Sequence, residues 1–203
     1  MTKIKLCGLT RLEDIQAANR LRPDYVGFVF APKSRRYVTT TQAKALKEVL
    51  DEGIQTVGVF VDAPMDQVAR LLHEGVIDVA QLHGHEDDGY IQMLRRQTER
   101  PIWQAFQVRC VGDLVPAQTS AADCILLDSG AGTGQAFDWN LLRYVDRPYF
   151  LAGGLDAQNV SCAVRQAHPY GVDVSSGIET DHKKDAAKMA AFVAAVRRGD
   201  ALR

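Results

Sequence analysis

Eight short runs of aliphatic and β-branched residues recur along the chain, and their regularity limits what it can fold into more than any other feature. They are Ile4–Cys7, Tyr25–Phe30, Thr56–Val61, Val79–Leu82, Ile102–Phe106, Cys124–Leu127, Tyr149–Ala152 and Val172–Val174. Most are continuous rather than alternating, which predicts strands covered on both faces, as in a parallel sheet. Helical periodicity lies between them. Leu12, Ile15, Ala18 and Leu21 share one face, as do Val68, Leu71 and Leu72. Asp185–Arg198 reads as an Ala-rich helix that places Ala187, Met189, Ala190, Val193, Ala194 and Val196. A βα unit thus repeats about eight times, with a period of roughly 20–30 residues. No Pro/Ser/Gly-rich linker interrupts the pattern, so residues 1–203 read as one domain.

Such a repeat can close in two ways, as an open doubly wound sheet or as a barrel. A dinucleotide-binding sheet needs G-x-G-x-x-G after its first strand, and this chain has Cys7-Gly8-Leu9-Thr10 there. The expectation is therefore an α/β fold, a single-domain (βα)8 TIM barrel. At 203 residues it is near minimal, because about 250 is typical of the fold and about 200 its lower limit. The longest connections are expected to be those carrying Arg36 and Asp128.

Charge narrows the partners. With 24 Lys+Arg against 25 Asp+Glu, the net charge of −1 supplies no global field for nucleic acid or an anionic membrane surface. No apolar run reaches ~18 residues, and the N-terminus lacks a signal-peptide core, so a cytoplasmic protein without membrane contact is expected. Cys7, Cys110, Cys124 and Cys162 are scattered, without C-x-x-C pairs. That fits free thiols in a reducing compartment and predicts no metal site.

In a (βα)8 barrel the chemistry gathers at the C-terminal ends of the strands. Gly153 and Gly154 follow the seventh strand, and Ser175, Ser176 and Gly177 the eighth. Unobstructed backbone N–H groups there suit a phosphate, while the glycines alone would also serve a tight turn. Cys7, ending the first strand, reads either as a small buried hydrophobe or as a reactive thiol. Asp128, ending the sixth, reads as a turn residue or as an acid. The Arg35-Arg36 doublet is a solvated charge pair or contains a carboxylate clamp. His83 is a histidine packing its strand end or a pocket residue. Glu86-Asp87-Asp88 fits the acidic first turn of a helix. Asp138 fits a helix cap, with Trp139 packed against the barrel.

Taken in order, these segments resemble the phosphoribosylanthranilate isomerase family of tryptophan biosynthesis. The resemblance runs through Lys5-Leu6-Cys7-Gly8-Leu9-Thr10, Gly27-Phe28-Val29-Phe30, Ser34-Arg35-Arg36-Tyr37, Gly58-Val59-Phe60 and Gln81-Leu82-His83-Gly84. It continues through Leu127-Asp128, Gly132-Thr133-Gly134, Phe137-Asp138-Trp139, Leu151-Ala152-Gly153-Gly154-Leu155 and Val172-Asp173-Val174-Ser175-Ser176-Gly177-Ile178-Glu179. It implies a cofactor-free Amadori rearrangement of N-(5'-phosphoribosyl)anthranilate to the carboxyphenylamino-deoxyribulose phosphate. Cys7 would be the general base, Asp128 the general acid and Arg36 the clamp on the anthranilate carboxylate. Gly153, Gly154, Ser175, Ser176 and Gly177 would hold the phosphate, with His83 and Asp173 as further pocket residues. The chemistry asks for a protonated carboxyl at Asp128 and a Cys7 drawn towards thiolate in one pocket. The loop Ala131-Gly132-Thr133-Gly134 departs from the two leading glycines common in the family.

Two other readings share much of this pattern. The histidine-pathway isomerase performs the same rearrangement, but with paired aspartates, and Cys7 speaks against it. A non-catalytic phosphate-binding barrel lacks a use for the acid, base and clamp together. The partner expected is a small phosphorylated substrate, with the protein a monomer or homodimer.

Overall fold

Each apolar run becomes a strand because both of its faces find cover, and the eight strands close on themselves. A computed structural model describes residues 1–128 and 139–202. The strands are β1 (Lys3–Cys7), β2 (Tyr25–Val29), β3 (Gln55–Phe60), β4 (Val79–Leu82), β5 (Ile102–Gln107), β6 (Cys124–Asp128), β7 (Tyr149–Ala152) and β8 (Gly171–Val174). They form a closed barrel in chain order. Neighbours run parallel, and the seam is sealed by β1 on β8 with Lys5 opposite Asp173.

The connecting helices are α1 (Leu12–Leu21), α2 (Thr40–Glu48), α3 (Met65–His73), α4 (Asp88–Arg95), α5 (Leu114–Thr119), α6 (Val160–Ala167) and α7 (Ala186–Ala201). Between β6 and β7 the described connection is a 3-10 turn, Trp139–Tyr144, rather than an α-helix. Starts are set by local chemistry. The Thr39 hydroxyl accepts from the Gln42 N–H, Asp87 from the Tyr90 N–H, and Asp185 from the N–H groups of Ala187 and Lys188. Burial corrects two periodicities. In α1, Leu12 is 48% exposed while Ile15, Ala17 and Ala18 are buried. In α7 the core face is Met189, Phe192, Ala195 and Val196, and Ala187 and Ala194 face water.

Strand alternation sorts the side chains into two layers. Ile4, Leu6, Val26, Phe28, Ala80 and Leu82 point outward into the helix-packed core. The intervening residues point into the barrel. At its N-terminal end they form an aromatic plug, in which Trp103 lies 4.9 Å from Tyr25 and 4.8 Å from Phe150, centroid to centroid. The interior is thus solid below, and only its C-terminal end is left for a cavity.

Among the described connections the long ones are residues 30–39, which carry Arg36 as expected, and residues 175–185. The latter was not anticipated. It holds a 3-10 turn, Ser176–Ile178, then an antiparallel hairpin of β9 (Glu179–Thr180) and β10 (Lys183–Lys184) with Lys184 opposite Glu179. The connection after Asp128, with Gly132-Thr133-Gly134, Phe137 and the cap expected at Asp138, lies outside the described residues. Trp139 packs, partly buried, against the core as anticipated.

Candidate active site

Cys7 ends β1 on an inward position and is buried. The residue beside it in register is Gly27 of β2. A Cβ at that position would stand 2.7 Å from the Cys7 Sγ, so glycine is what leaves room for the thiol. One pleat below on the same face is Lys5, 0% exposed, whose Nζ donates to Asp173 Oδ1 at 3.0 Å across the barrel seam. Burial alone would lower the Lys5 ammonium, but Asp173 and Cys7 outweigh it and hold it above the ordinary lysine range.

A second cation arrives from the hairpin. Lys184 Nζ donates to Glu179 Oε1 at 2.7 Å and to the Ser175 carbonyl at 2.9 Å. The Ser175 hydroxyl in turn donates to the Cys7 carbonyl at 3.1 Å. Cys7 therefore feels Lys5 and Lys184 together. The expectation of a thiol drawn towards thiolate is corrected in sign. Burial pushes the Cys7 thiol up, Asp173 adds to that, and the two lysines pull down without overcoming it.

Arg36 lines the same cavity, but not as a bare guanidinium. Its Nε donates to Glu179 Oε1 at 2.6 Å and its Nη2 to Glu179 Oε2 at 2.8 Å, a bidentate pair. Arg35 is the solvated member of the doublet, with its side chain half exposed and 3.7 Å from Glu179. Burial would raise the Glu179 carboxyl, yet hydrogen bonds from Arg36 and Lys184 prevail and hold it at about 2. A carboxyl depressed below its ordinary 4.5 stabilises the fold fully above that pH and loses the contribution as pH falls towards 2. Glu179→Gln is therefore expected to flatten the acid limb of a stability-against-pH curve between these values, read by chemical denaturation. An acid limb identical to the wild type's would contradict it.

Asp128 ends β6 across the mouth, and His83 Nε2 lies 3.8 Å from its Oδ2. His83 is part-exposed and faces the cavity, so its reading as a histidine packing the strand end is corrected. Gly153 and Gly154, at φ 85° and 62°, turn the chain over the mouth, and both line it with Ser175, Ser176 and Asp173. Gly177 does not. A Cβ on it would collide with the Leu155 carbonyl oxygen, so it serves the close approach of the seventh and eighth loops rather than lining the cavity. Glu86 also departs from expectation. Instead of an acidic first turn, it is a buried brace whose carboxylate accepts from the N–H groups of Asp62 at 2.7 Å and Gly84 at 2.8 Å.

The cavity measures about 290 Å³ and joins Cys7, Asp128, Arg36 and His83 to the glycines and serines of the last two loops. Gln81 lines it too, while Lys5, Glu179 and Lys184 bond to its lining through Asp173, Arg36 and Ser175, and the strand-end reading gives none of these four a role. Lys5 and Asp173 carried a signal, since charges inside apolar strand runs are rare unless paired. Among the described residues no three His, Cys, Asp or Glu side chains gather to hold a metal ion.

The chain has relatives. The profile of the N-(5'phosphoribosyl)anthranilate (PRA) isomerase family matches residues 4–195. An N-(5'-phosphoribosyl)anthranilate isomerase of Endomicrobium trichonymphae is 41% identical over 202 residues, 97% of this chain and 99% of that one. The crystal structure of the phosphoribosyl anthranilate isomerase of Thermotoga maritima superposes with a TM-score of 0.88 at 32% identity, covering 97% of this chain and 99% of that one. A crystal structure of a phosphoribosyl anthranilate isomerase in complex with reduced 1-(o-carboxyphenylamino)-1-deoxyribulose 5-phosphate superposes with a TM-score of 0.86 at 31% identity, covering 97% of this chain and 99% of that one. The sequence match over nearly the whole barrel, together with the shared architecture, establishes that this chain belongs to the N-(5'-phosphoribosyl)anthranilate isomerase family.

Proposed function

We propose that the cavity at the C-terminal end of the barrel carries the family's isomerisation of N-(5'-phosphoribosyl)anthranilate, with Cys7 as general base and Asp128 as general acid. One observation supports it above the others. An acid, a thiol, an arginine and two glycine- and serine-bearing loops face one cavity from different strands. In this reading Asp128 protonates the furanose oxygen, the C1′–O bond breaks, and the anilino nitrogen, keeping its hydrogen, gives its lone pair to form a C1′=N protonated imine. The imine acidifies C2′, and Cys7 removes that proton to leave an enolamine. Protonation at C1′ and loss of the enol proton then give the 2-ketose. No electron leaves or enters the substrate, so the step balances without a redox partner.

The two anionic ends of the substrate need local counter-groups, because the protein as a whole is nearly neutral. Backbone N–H groups around Gly153, Gly154, Ser175 and Ser176 suit the phosphate. Arg36 suits the carboxylate. Two of its five N–H donors are given to Glu179, which leaves the others to reach substrate from a side chain already fixed in direction. Lys5 and Lys184 supply the positive charge that a thiolate at Cys7 needs when the proton is passed to it. The protein works in the cytoplasm, alone or as a homodimer, on this small phosphorylated substrate. Among the described residues no helix is long and apolar enough to cross a membrane.

The decisive experiment follows the fluorescence of freshly prepared phosphoribosylanthranilate with the purified protein. Enzyme-dependent loss of signal is expected, and a rate equal to the buffer blank would sink the reading. Arg36→Ala is expected to raise KM by about tenfold or more with kcat little changed, since a carboxylate clamp binds ground and transition states alike. An unchanged KM with full activity would remove Arg36 from substrate binding.

A further inference from the structure

Gln81 is 1% exposed, and its Oε1 is the one buried side-chain nitrogen or oxygen without a hydrogen-bond partner among the described residues. A buried acceptor left unpaired is costly, whereas an apolar side chain of the same shape in its place is neutral or stabilising. A chain that keeps the amide there spends stability on it, and such violations concentrate at functional sites. Its position points the same way. Val79 and Gln81 alternate into the barrel from β4; Val79 joins the packed interior, and Gln81, one pleat higher, lines the cavity. In register it stands beside Val59, and Val29 and Val59 pack with Cys7. The floor between the thiol and Gln81 is thus apolar.

We propose that Gln81 is a substrate-binding residue whose amide oxygen accepts a hydrogen bond from the hydroxyl on C2′ of the sugar, the carbon that loses its proton. The assignment rests on the isomerase reading above. The C2′ proton must face Cys7, which turns the hydroxyl on the same carbon away from the thiol, over Val29 and Val59, towards β4. As C2′ becomes enolic its hydroxyl becomes a stronger donor, so the contact strengthens on the way to the transition state and acts on kcat as well as on binding. His83, two residues on at the part-exposed rim, is out of the floor layer and leaves this role to Gln81.

The test uses two stable fluorescent ligands, made by reductive amination of anthranilate with ribose 5-phosphate and with 2-deoxyribose 5-phosphate. They differ only in the C2′ hydroxyl. The wild type is expected to bind the ribose-derived ligand about tenfold more tightly than the deoxy one, and Gln81→Leu to bind both within about twofold of each other. Gln81→Leu should melt no lower than the wild type while kcat/KM for phosphoribosylanthranilate falls by about tenfold or more. A merely structural glutamine would instead lower Tm and leave the discrimination intact. If the wild type turns over phosphoribosylanthranilate and Gln81→Leu keeps the discrimination, the assignment of Gln81 is overturned and the isomerase reading stands. If the wild type neither turns the substrate over nor binds either ligand, the isomerase reading falls and takes this one with it.

Discussion

Replacing Cys7 by Ala is expected to lower kcat by about 10²–10⁴-fold with little change in Tm, the range that a positioned general base contributes. The small stability effect follows from the size of the change, since a thiol is close to a methyl group in packing. Asp128→Asn should bring a loss of the same order, because an amide can hydrogen-bond to the ring oxygen but cannot deliver a proton to it. A residual activity within about tenfold of wild type in either variant, ~1.4 kcal/mol of barrier, would remove that residue from proton transfer. Cys7 also carries a signature in pH. Its folded thiol is raised, so the reactive thiolate fraction grows as pH climbs into the alkaline range. The wild-type kcat/KM should accordingly rise with pH on that limb. Lys184→Met, which removes one of the opposing cations, should move the limb further to the alkaline side.

Lys5→Met is expected to destabilise the barrel by about 3–5 kcal/mol, because it leaves Asp173 as an uncompensated carboxylate inside the barrel. For a chain of this length that corresponds to a Tm lower by roughly 10 °C. The pair itself is not the source of stability. Two charges removed from water gain little beyond their desolvation cost, so what destabilises is breaking the pair. The double replacement Lys5→Met with Asp173→Asn should therefore recover most of the lost stability, as calorimetry or urea unfolding would show. Activity should not recover with it, since no cation then stands below Cys7. A double variant both stable and fully active would show that the buried pair is a packing detail with no bearing on the thiol.

Much of the fold was readable from residue order because parallel strands in a barrel are buried on both faces and so appear as unbroken apolar runs. Tyr25–Val29, Val79–Leu82 and Tyr149–Ala152 stand where those runs predicted, to within a residue. Helix faces were read less well. In α7 the choice between Ala194 and Ala195 turns on about 100° of rotation, and an Ala-rich helix carries too little apolar contrast to settle it. Cys7 and Asp128 were legible because each ends a strand with a side chain capable of proton chemistry. Arg36 was legible as a cation but not as half of a pair, because its partner Glu179 lies beyond six intervening strands. Glu86 was misread since an acidic cluster before a helix has a sufficient local explanation, and only burial shows a second use.

The residue order by itself determined the number of βα units, the parallel sheet they build and the strand ends at which chemistry could sit. Those properties follow from local patterns of apolar side chains and from turn residues, which act over a few positions. Closure decided the rest. Lys5 and Asp173 are 168 residues apart and meet only because β1 pairs with β8. Arg36 reaches Glu179 from 143 residues away, once the hairpin after β8 has folded over the mouth. The charge state available to Cys7, the direction in which Arg36 is held and the unpaired oxygen of Gln81 all depend on desolvation and on contacts across the barrel. Both are properties of an enclosed volume, and no stretch of chain possesses them until the sheet has closed.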